Sequence, residues 1–374
     1  MKKKILFTTL NDHVSWGGSE ELWFQTLLKI HSDFDITVLV KRWEDEVAQI
    51  KTLEDLGVKI LYKDIKSKKI SFPQRVINKL KYKSNQTKSI INFNNYDHIF
   101  ISLGNNFDHN LFQLTDKINL LKIPYSLIIQ LATDLRNIND YLLDKFVRAY
   151  EASNTVFFLS EDNILKTELL LGIELKNKKK INNPFNYNQQ YIAPQSNKFN
   201  MACVAAFTSF HKGQDLLITV LGQEKWKSRD FVLNLYGDGI NKKQIERLIK
   251  RYNLKDKVAF KGFVANKEDI WLKNTVCIMP SRMEGQSLAM LEAMSYGRMI
   301  IATNVGDAKR LIIENKTGFL IEAPTFELID RALEKAWKNK DSWIDYGINS
   351  RQHLYDIIKI DPVLDFSNQI RKYL

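Results

Sequence analysis

Cysteine is nearly absent: the chain has 2 in 374 residues, Cys203 and Cys277. Both fall in apolar stretches that read as strands, so neither a disulfide framework nor a cysteine-based metal cluster is available, and both are expected to fill core. Long apolar runs are missing too. None approaches the roughly eighteen residues of a spanning helix. The opening Lys2-Lys3-Lys4 leads into the strand-like Ile5-Leu6-Phe7-Thr8-Thr9-Leu10 instead of a signal-peptide core, which gives the expectation of a cytoplasmic protein. There is no Walker A loop, no G-x-G-x-x-G turn and no Cys/His zinc spacing; Gly237-Asp238-Gly239 is a lone G-x-G. Although the net charge is +12, no helix-turn-helix or aromatic RNA-binding pattern accompanies it, so nucleic acid is not expected as a partner.

What is present is a composition of 44% hydrophobic and 26% charged residues, enough to bury two cores. Short apolar runs alternate with longer amphipathic ones, the pattern of parallel sheets wrapped by helices. Strands are expected at 4–10, 34–41, 58–63, 98–103, 125–131 and 154–160, with helices near 19–31, 44–56, 73–92, 137–152 and 161–171. A second series places strands at 200–208, 231–237, 258–263, 276–280, 298–303 and 317–322. Between the two series lies a polar passage running from Lys176 through Asn182-Asn183-Pro184 to Asn197. The reading is α/β: a domain over 1–183, a linker over 184–198, a second domain over 199–355 and a final helix over 356–374. Two Rossmann-like, doubly wound domains would face each other across a cleft, with ligands at the carboxyl ends of the strands.

The stretch Pro280-Ser281-Arg282-Met283-Glu284-Gly285-Gln286-Ser287-Leu288-Ala289-Met290-Leu291-Glu292 carries the most specific chemistry. A helix starting near Gln286 or Ser287 offers unpaired N–H groups and a partial positive charge to a phosphate or diphosphate at its mouth. Gly285 is expected to let that ligand come close. Glu284 can accept hydrogen bonds from sugar hydroxyls, and Glu292, about two turns into the helix, from a ribose diol; the alternative is a solvated Glu292. Near the amino end, Gly17 and Gly18 sit at a strand-to-helix turn where backbone N–H groups could meet a phosphate, or where the chain simply turns.

With seven residues between its two glutamates, this stretch resembles the signature of retaining glycosyltransferases of family 4, the bacterial-type glycosyl transferases of group 1, on the GT-B fold. The resemblance continues into Glu292-Ala293-Met294-Ser295-Tyr296-Gly297-Arg298, Ala302-Thr303-Asn304-Val305-Gly306-Asp307 and Asn315-Lys316-Thr317-Gly318-Phe319-Leu320, and upstream into Lys212-Gly213-Gln214-Asp215 and Tyr236-Gly237-Asp238-Gly239. It implies transfer of a sugar from a nucleoside-diphosphate-sugar to a glycan or lipid-linked acceptor, without a metal or other cofactor, in cell-surface polysaccharide or glycolipid synthesis. Within it, Lys212 and Glu284 are the catalytic pair. Donor contacts are carried over to Gly17, Gly18, Lys212, Val264, Glu284, Gly285, Gln286, Ser287 and Glu292. Asp12, His13, Gln130 and Asp134 would face the acceptor or the reacting sugar, although many relatives place a histidine near Gln130.

The family's arginine a few positions before the lysine is also missing. That region reads Ala205-Ala206-Phe207-Thr208, and Arg282 or Lys309 would have to substitute. Asp33-Phe34-Asp35 imitates the metal-binding Asp-x-Asp of the other glycosyltransferase fold, but it opens a strand. Alternative readings are a non-catalytic nucleotide-sugar-binding subunit and a GT-B nucleotide-sugar epimerase. Residues 63–88 hold nine Lys or Arg against Asp64 alone, interleaved with Ile70, Phe72, Val76, Ile77, Leu80 and Tyr82. Such a segment suits an anionic membrane surface on the inner leaflet, or is a solvated face.

Overall fold

The structure is a computed structural model that describes residues 1–63, 91–133, 138–196 and 198–374. Nearly all of the expected helix at 73–92, nearly all of the basic 63–88 segment and Asp134 lie outside the described residues.

Two sheets organise the chain. The first contains β1 (Lys4–Thr9), β2 (Asp35–Lys41), β3 (Lys59–Lys63), β4 (His98–Leu103), β5 (Tyr125–Ile129), β6 (Thr155–Phe158) and β7 (Lys178–Lys180), in the order β3-β2-β1-β4-β5-β6-β7. The second contains β8 (Phe199–Val204), β9 (Phe231–Tyr236), β10 (Val258–Gly262), β11 (Val276–Met279), β12 (Met299–Thr303) and β13 (Gly318–Ile321), in the order β10-β9-β8-β11-β12-β13. All their pairings are parallel. Central strands such as Ile99-Phe100-Ile101 and Cys277-Ile278 are buried from end to end, as strands covered by helices on both faces must be. Both cysteines are buried and unpaired.

Each sheet reverses its winding direction once, between β1 and β4 and between β8 and β11. Such reversals open crevices at the carboxyl ends of the strands. The loops that leave β1, β4, β8 and β11 are among those that meet between the domains.

Two elements depart from the sequence reading. The Lys178–Lys180 stretch, read as the approach to the linker, is strand β7, bonded to β6 at the sheet margin. A lysine-rich edge strand carries no apolar pattern because its outer side faces water. A helix at Asn110–Leu120, absent from the expected set, covers the first sheet through Leu111 and Ile118. The last helix, Pro362–Lys372, returns to the first domain: Phe366 and Ile370 share an apolar cluster with Leu22, Trp23, Leu27 and Ile30 of the Gly18–Ile30 helix. Arg371 adds an ion pair to Asp33 at 2.7 Å, so this aspartate of the Asp-x-Asp imitation is engaged at the amino end of β2, away from the crevice.

His98 gives this domain a pH dependence. It is 1% exposed, its Nε2 lies 3.0 Å from the Ser126 hydroxyl, and burial pushes its pKa down from 6.5 to about 4. The folded state therefore holds His98 neutral while the unfolded chain binds a proton below about 6.5. Stability is fully present above pH 6.5 and falls between pH 6.5 and about 4, by up to roughly 3 kcal/mol. Urea titrations of wild type and His98→Phe across that window should show a shallower loss in the variant; parallel slopes would refute the assignment.

Candidate functional site

A cavity of about 500 Å³ lies between the domains. The first domain contributes Gly18, Ser19, Gly104, Gln130 and Leu159; the second contributes Lys212, Val264, Lys267, Glu284 and Glu292 among others. These residues follow the ends of β1, β4, β5, β6, β8, β10 and β11, so the wall is assembled from the strand termini that the topology predicts.

Lys212 ends the short Ser209–Lys212 helix, and the chain then turns at Gly213 with φ +67. A Cβ at Gly213 would stand 2.0 Å from the Pro280 carbonyl, so only glycine lets this turn press against the acidic loop. The outcome is direct contact. Lys212 Nζ donates to Glu284 Oε1 at 2.7 Å, and the Ser281 hydroxyl donates to the same oxygen at 2.8 Å. The two residues expected to serve diphosphate and sugar separately are thus paired with each other.

The helix of the motif runs Leu288–Ser295 and is capped by Ser287, whose hydroxyl accepts from the Met290 N–H at 3.3 Å. Leu288 and Ala289, whose N–H groups have no intrahelical partner, line the cavity. Glu292 is partly buried. Burial raises its carboxyl above the usual range, opposed by Lys267, whose Nζ lies 3.8 Å from Oε1, and reinforced by Glu21 from across the cleft. His211, also in the wall, is held below its ordinary pKa by burial and by the neighbouring Lys212 charge.

Several expectations are corrected by this geometry. Gly285 lines the cavity, and its lack of a side chain has a further use: a Cβ there would lie 2.0 Å from the Gln130 carbonyl, so glycine lets the two domains touch. Gln286 lines the cavity too, but it is 4% exposed and its side chain is engaged as a bracket. Its Nε2 donates to Asp307 Oδ2 (2.7 Å) and Asn182 Oδ1 (3.0 Å), while its Oε1 accepts from the Asn183 N–H. It fastens the interdomain segment to the acidic loop. Gly18 lines the cavity and packs against Leu288 from the opposite domain, whereas Gly17, the N-cap of its helix, is not part of the lining.

Arg282 is no substitute for the missing arginine, because its guanidinium grips Asp215 through two bonds of 2.9 Å and donates to the Ser209 carbonyl. Lys309 is exposed and outside the lining. The second lysine in the wall is Lys267, which the sequence reading passed over; its only signal was a position shortly after the Gly262-Phe263-Val264 strand end. Val264 and Gln130 do line the cavity. Asp12 does not: it pairs with Lys63 at 3.0 Å and faces a separate cavity across the Gly17–Ser19 turn. His13 is exposed and lines neither cavity.

Comparison with known proteins places these features. Residues 189–353 match the family model for glycosyl transferases group 1. A poly(ribitol-phosphate) alpha-N-acetylglucosaminyltransferase of Staphylococcus aureus (strain COL) is 28% identical over 153 residues, 40% of this chain and 31% of that protein. The Escherichia coli O-antigen biosynthesis glycosyltransferase WclY is 30% identical over 191 residues, 50% of each. The matched stretches thus span at most half the length of these relatives. Among solved structures, Anabaena Alr3699/HepE in complex with UDP-glucose superimposes with a TM-score of 0.73 at 18% identity, covering 99% of this chain and 98% of that one. At that identity the likeness establishes the fold, which is GT-B.

Proposed function

We propose that the chain, whose residues 189–353 match the family model for glycosyl transferases group 1, is a retaining glycosyltransferase that draws on a nucleoside-diphosphate-sugar bound in the interdomain cavity. The observation that carries this reading is the convergence of Lys212, Glu284, Glu292 and the start of the Leu288–Ser295 helix on one cavity, with Gly18 closing it from the other domain. An entering diphosphate offers Lys212 a stronger partner than Glu284, and its arrival frees Glu284 to accept bonds from the donor sugar. The ribose meets Glu292. The exposed Phe263 ring and Val264, both in the wall, suit the nucleobase.

In the transfer step the bond between the anomeric carbon and the diphosphate oxygen breaks, and its electron pair leaves with the diphosphate. The acceptor hydroxyl attacks from the same face and gives its proton to the departing oxygen. Negative charge grows on the diphosphate as the bond breaks, so Lys212 and the helix-start N–H groups stabilise the transition state more than the ground state. These groups supply the positive charge that a metal ion would otherwise bring, and transfer in excess EDTA should equal transfer without it. The HepE complex with UDP-glucose supports a uridine donor, and WclY, by its name, supports a role in surface polysaccharide synthesis. The acceptor is then a glycan or a lipid-linked glycan. Among the described residues no helix is long and apolar enough to cross a membrane.

Calorimetric titration with UDP is the first test. Wild type should bind, and Glu292→Ala should bind about tenfold more weakly or worse, through loss of charge-assisted bonds to the ribose. Equal affinities would remove Glu292 from the site. The competing reading, a nucleotide-binding subunit without activity, draws on Ala205 and Ala206 standing where the family carries its arginine. UDP-sugar binding with neither transfer nor hydrolysis would favour it.

A further inference from the structure

Glu292 is the acid assigned to the ribose, yet its setting disfavours the anion that this task needs. Its side chain is 18% exposed, burial pushes its carboxyl up, and Glu21 of the Gly18–Ile30 helix adds like charge from across the cleft. The other titratable groups that face it are the Cys277 thiol of β11 and the Tyr296 phenol at the end of its own helix, both pushed up by burial and so neutral near pH 7. Lys267 opposes these effects. Among the described residues it is the only cation within ion-pair distance, with Nζ 3.8 Å from Oε1.

Packing holds Lys267 in that place. It opens the short Lys267–Trp271 helix, whose N-cap, Asn266, accepts from the Glu268 N–H at 3.2 Å. Ile270 and Trp271 are buried in the apolar cluster that also contains Ala289 and Ala293 of the helix bearing Glu292. At the far end sits Arg298, fully buried, whose guanidinium donates to the Trp271 and Tyr296 carbonyls, each at 2.7 Å. One cation thus ties the carboxyl ends of both helices together, where unpaired carbonyls favour positive charge. Lys267 also lies near the Phe263 ring, 6.0 Å from its centroid, and Phe263, Lys267 and Glu292 all line the donor cavity. At 3.8 Å the Lys267–Glu292 pair is longer than a direct hydrogen bond, so the carboxylate lone pairs are left to a ligand.

We propose that Lys267 is a positioning residue for the donor: its ammonium keeps the Glu292 carboxylate aimed at the two ribose hydroxyls and does not itself touch the nucleotide. The inference rests on the donor reading of Glu292. Two hydroxyls donating to one carboxylate need both its oxygens as acceptors, and a proton on either weakens the pairing. A site without Lys267 would keep its contacts to nucleobase and diphosphate and lose discrimination at the ribose. That separates this role from the role of Lys212, whose charge meets the diphosphate directly.

Calorimetric titration of the full chain with UDP and with 2′,3′-dideoxyuridine diphosphate, from about pH 8 to about pH 5.5, tests the role, because the two ligands carry the same base and phosphates. Lys267→Met should weaken UDP about tenfold and leave the dideoxy nucleotide within about twofold of wild type. Without the lysine Glu292 takes up a proton at a higher pH, so the preference for UDP over the dideoxy nucleotide should decay earlier on acidification than in wild type. Lys267→Arg restores the charge and should recover most of the affinity. Equal losses for both nucleotides would put Lys267 on the phosphates or the base, and unchanged UDP affinity would make it a plain surface lysine; either result overturns the proposal. A second readout needs no ligand. In protein labelled with 13C at the glutamate carboxyls, the signal missing from Glu292→Gln should titrate at a higher pH in Lys267→Met than in wild type. Absence of UDP binding by wild type would overturn the donor reading and this role with it, whereas UDP binding with coincident carboxyl midpoints would overturn this role alone.

Discussion

Lys212→Ala should lower kcat/KM for sugar transfer by about 100- to 1,000-fold, the usual consequence of removing one preorganised positive group from developing negative charge. The effect should fall mainly on kcat. Lys212 is paired with Glu284 at 2.7 Å, so part of its binding contribution is spent in exchanging one anion for another, whereas the charge released as the glycosidic bond breaks has no prior partner. Removing the lysine also leaves Glu284 without its cation, near the diphosphate it would then repel. Lys212→Arg keeps the charge and should recover part of the rate. Steady-state kinetics with varied donor separate these effects; an alanine variant within about threefold of wild type would exclude Lys212 from the chemistry.

Gly285→Ala is the second change with a large expected effect, although it adds only one methyl group. The new Cβ would meet the Gln130 carbonyl at 2.0 Å, and the Asn163 amide at 3.2 Å. The first is backbone at the end of β5 and cannot swing aside. Behind Gly285, its own carbonyl accepts from the Asp307 N–H at 2.9 Å, so the loop is held on both sides. The domains must separate or the acidic loop must deform, and either moves Glu284 relative to Gly18. A misplacement near 1 Å is enough to cost about 100-fold in rate. Lost interdomain packing of about 1–2 kcal/mol should lower Tm by several degrees. A glycine needed only for ligand approach would behave differently, with weakened UDP binding and an unchanged melting temperature. Differential scanning calorimetry of the ligand-free variant separates the two accounts.

The contrast at Gly285 shows how far the sequence could be read. Apolar alternation located nearly every strand to within a few residues, because a strand buried on both faces is written in local composition. The acidic loop and its helix were legible for the same reason: strand, turn and capped helix are local features, and Ser287 is an ordinary N-cap residue. Strand β7 escaped because three lysines at a sheet margin have no burial to betray them. The partners of side chains escaped for a different reason. Nothing local tells that Gly285 faces a carbonyl from residue 130, that Gln286 ties down Asn182 and Asn183, or that Arg282 is consumed by Asp215; these contacts are fixed only by tertiary packing, the first two by segments outside the second domain and the third within it. Lys267 belongs to the same class. Its position near Glu292 depends on β10 lying two strands from β8 in the second sheet.

Central to all of this is the claim that a nucleoside diphosphate is gripped between the domains by the Lys212 and Glu292 sides of one cavity. A crystal structure of the chain soaked with UDP tests it most directly. The predicted result is a diphosphate within hydrogen-bond distance of Lys212 Nζ and of the N–H groups at the start of the Leu288–Ser295 helix, the Lys212–Glu284 pair broken, and the ribose hydroxyls on Glu292. Density for the nucleotide outside the interdomain cavity, or inside it with Lys212 still bonded to Glu284 and Glu292 turned away, would contradict the account.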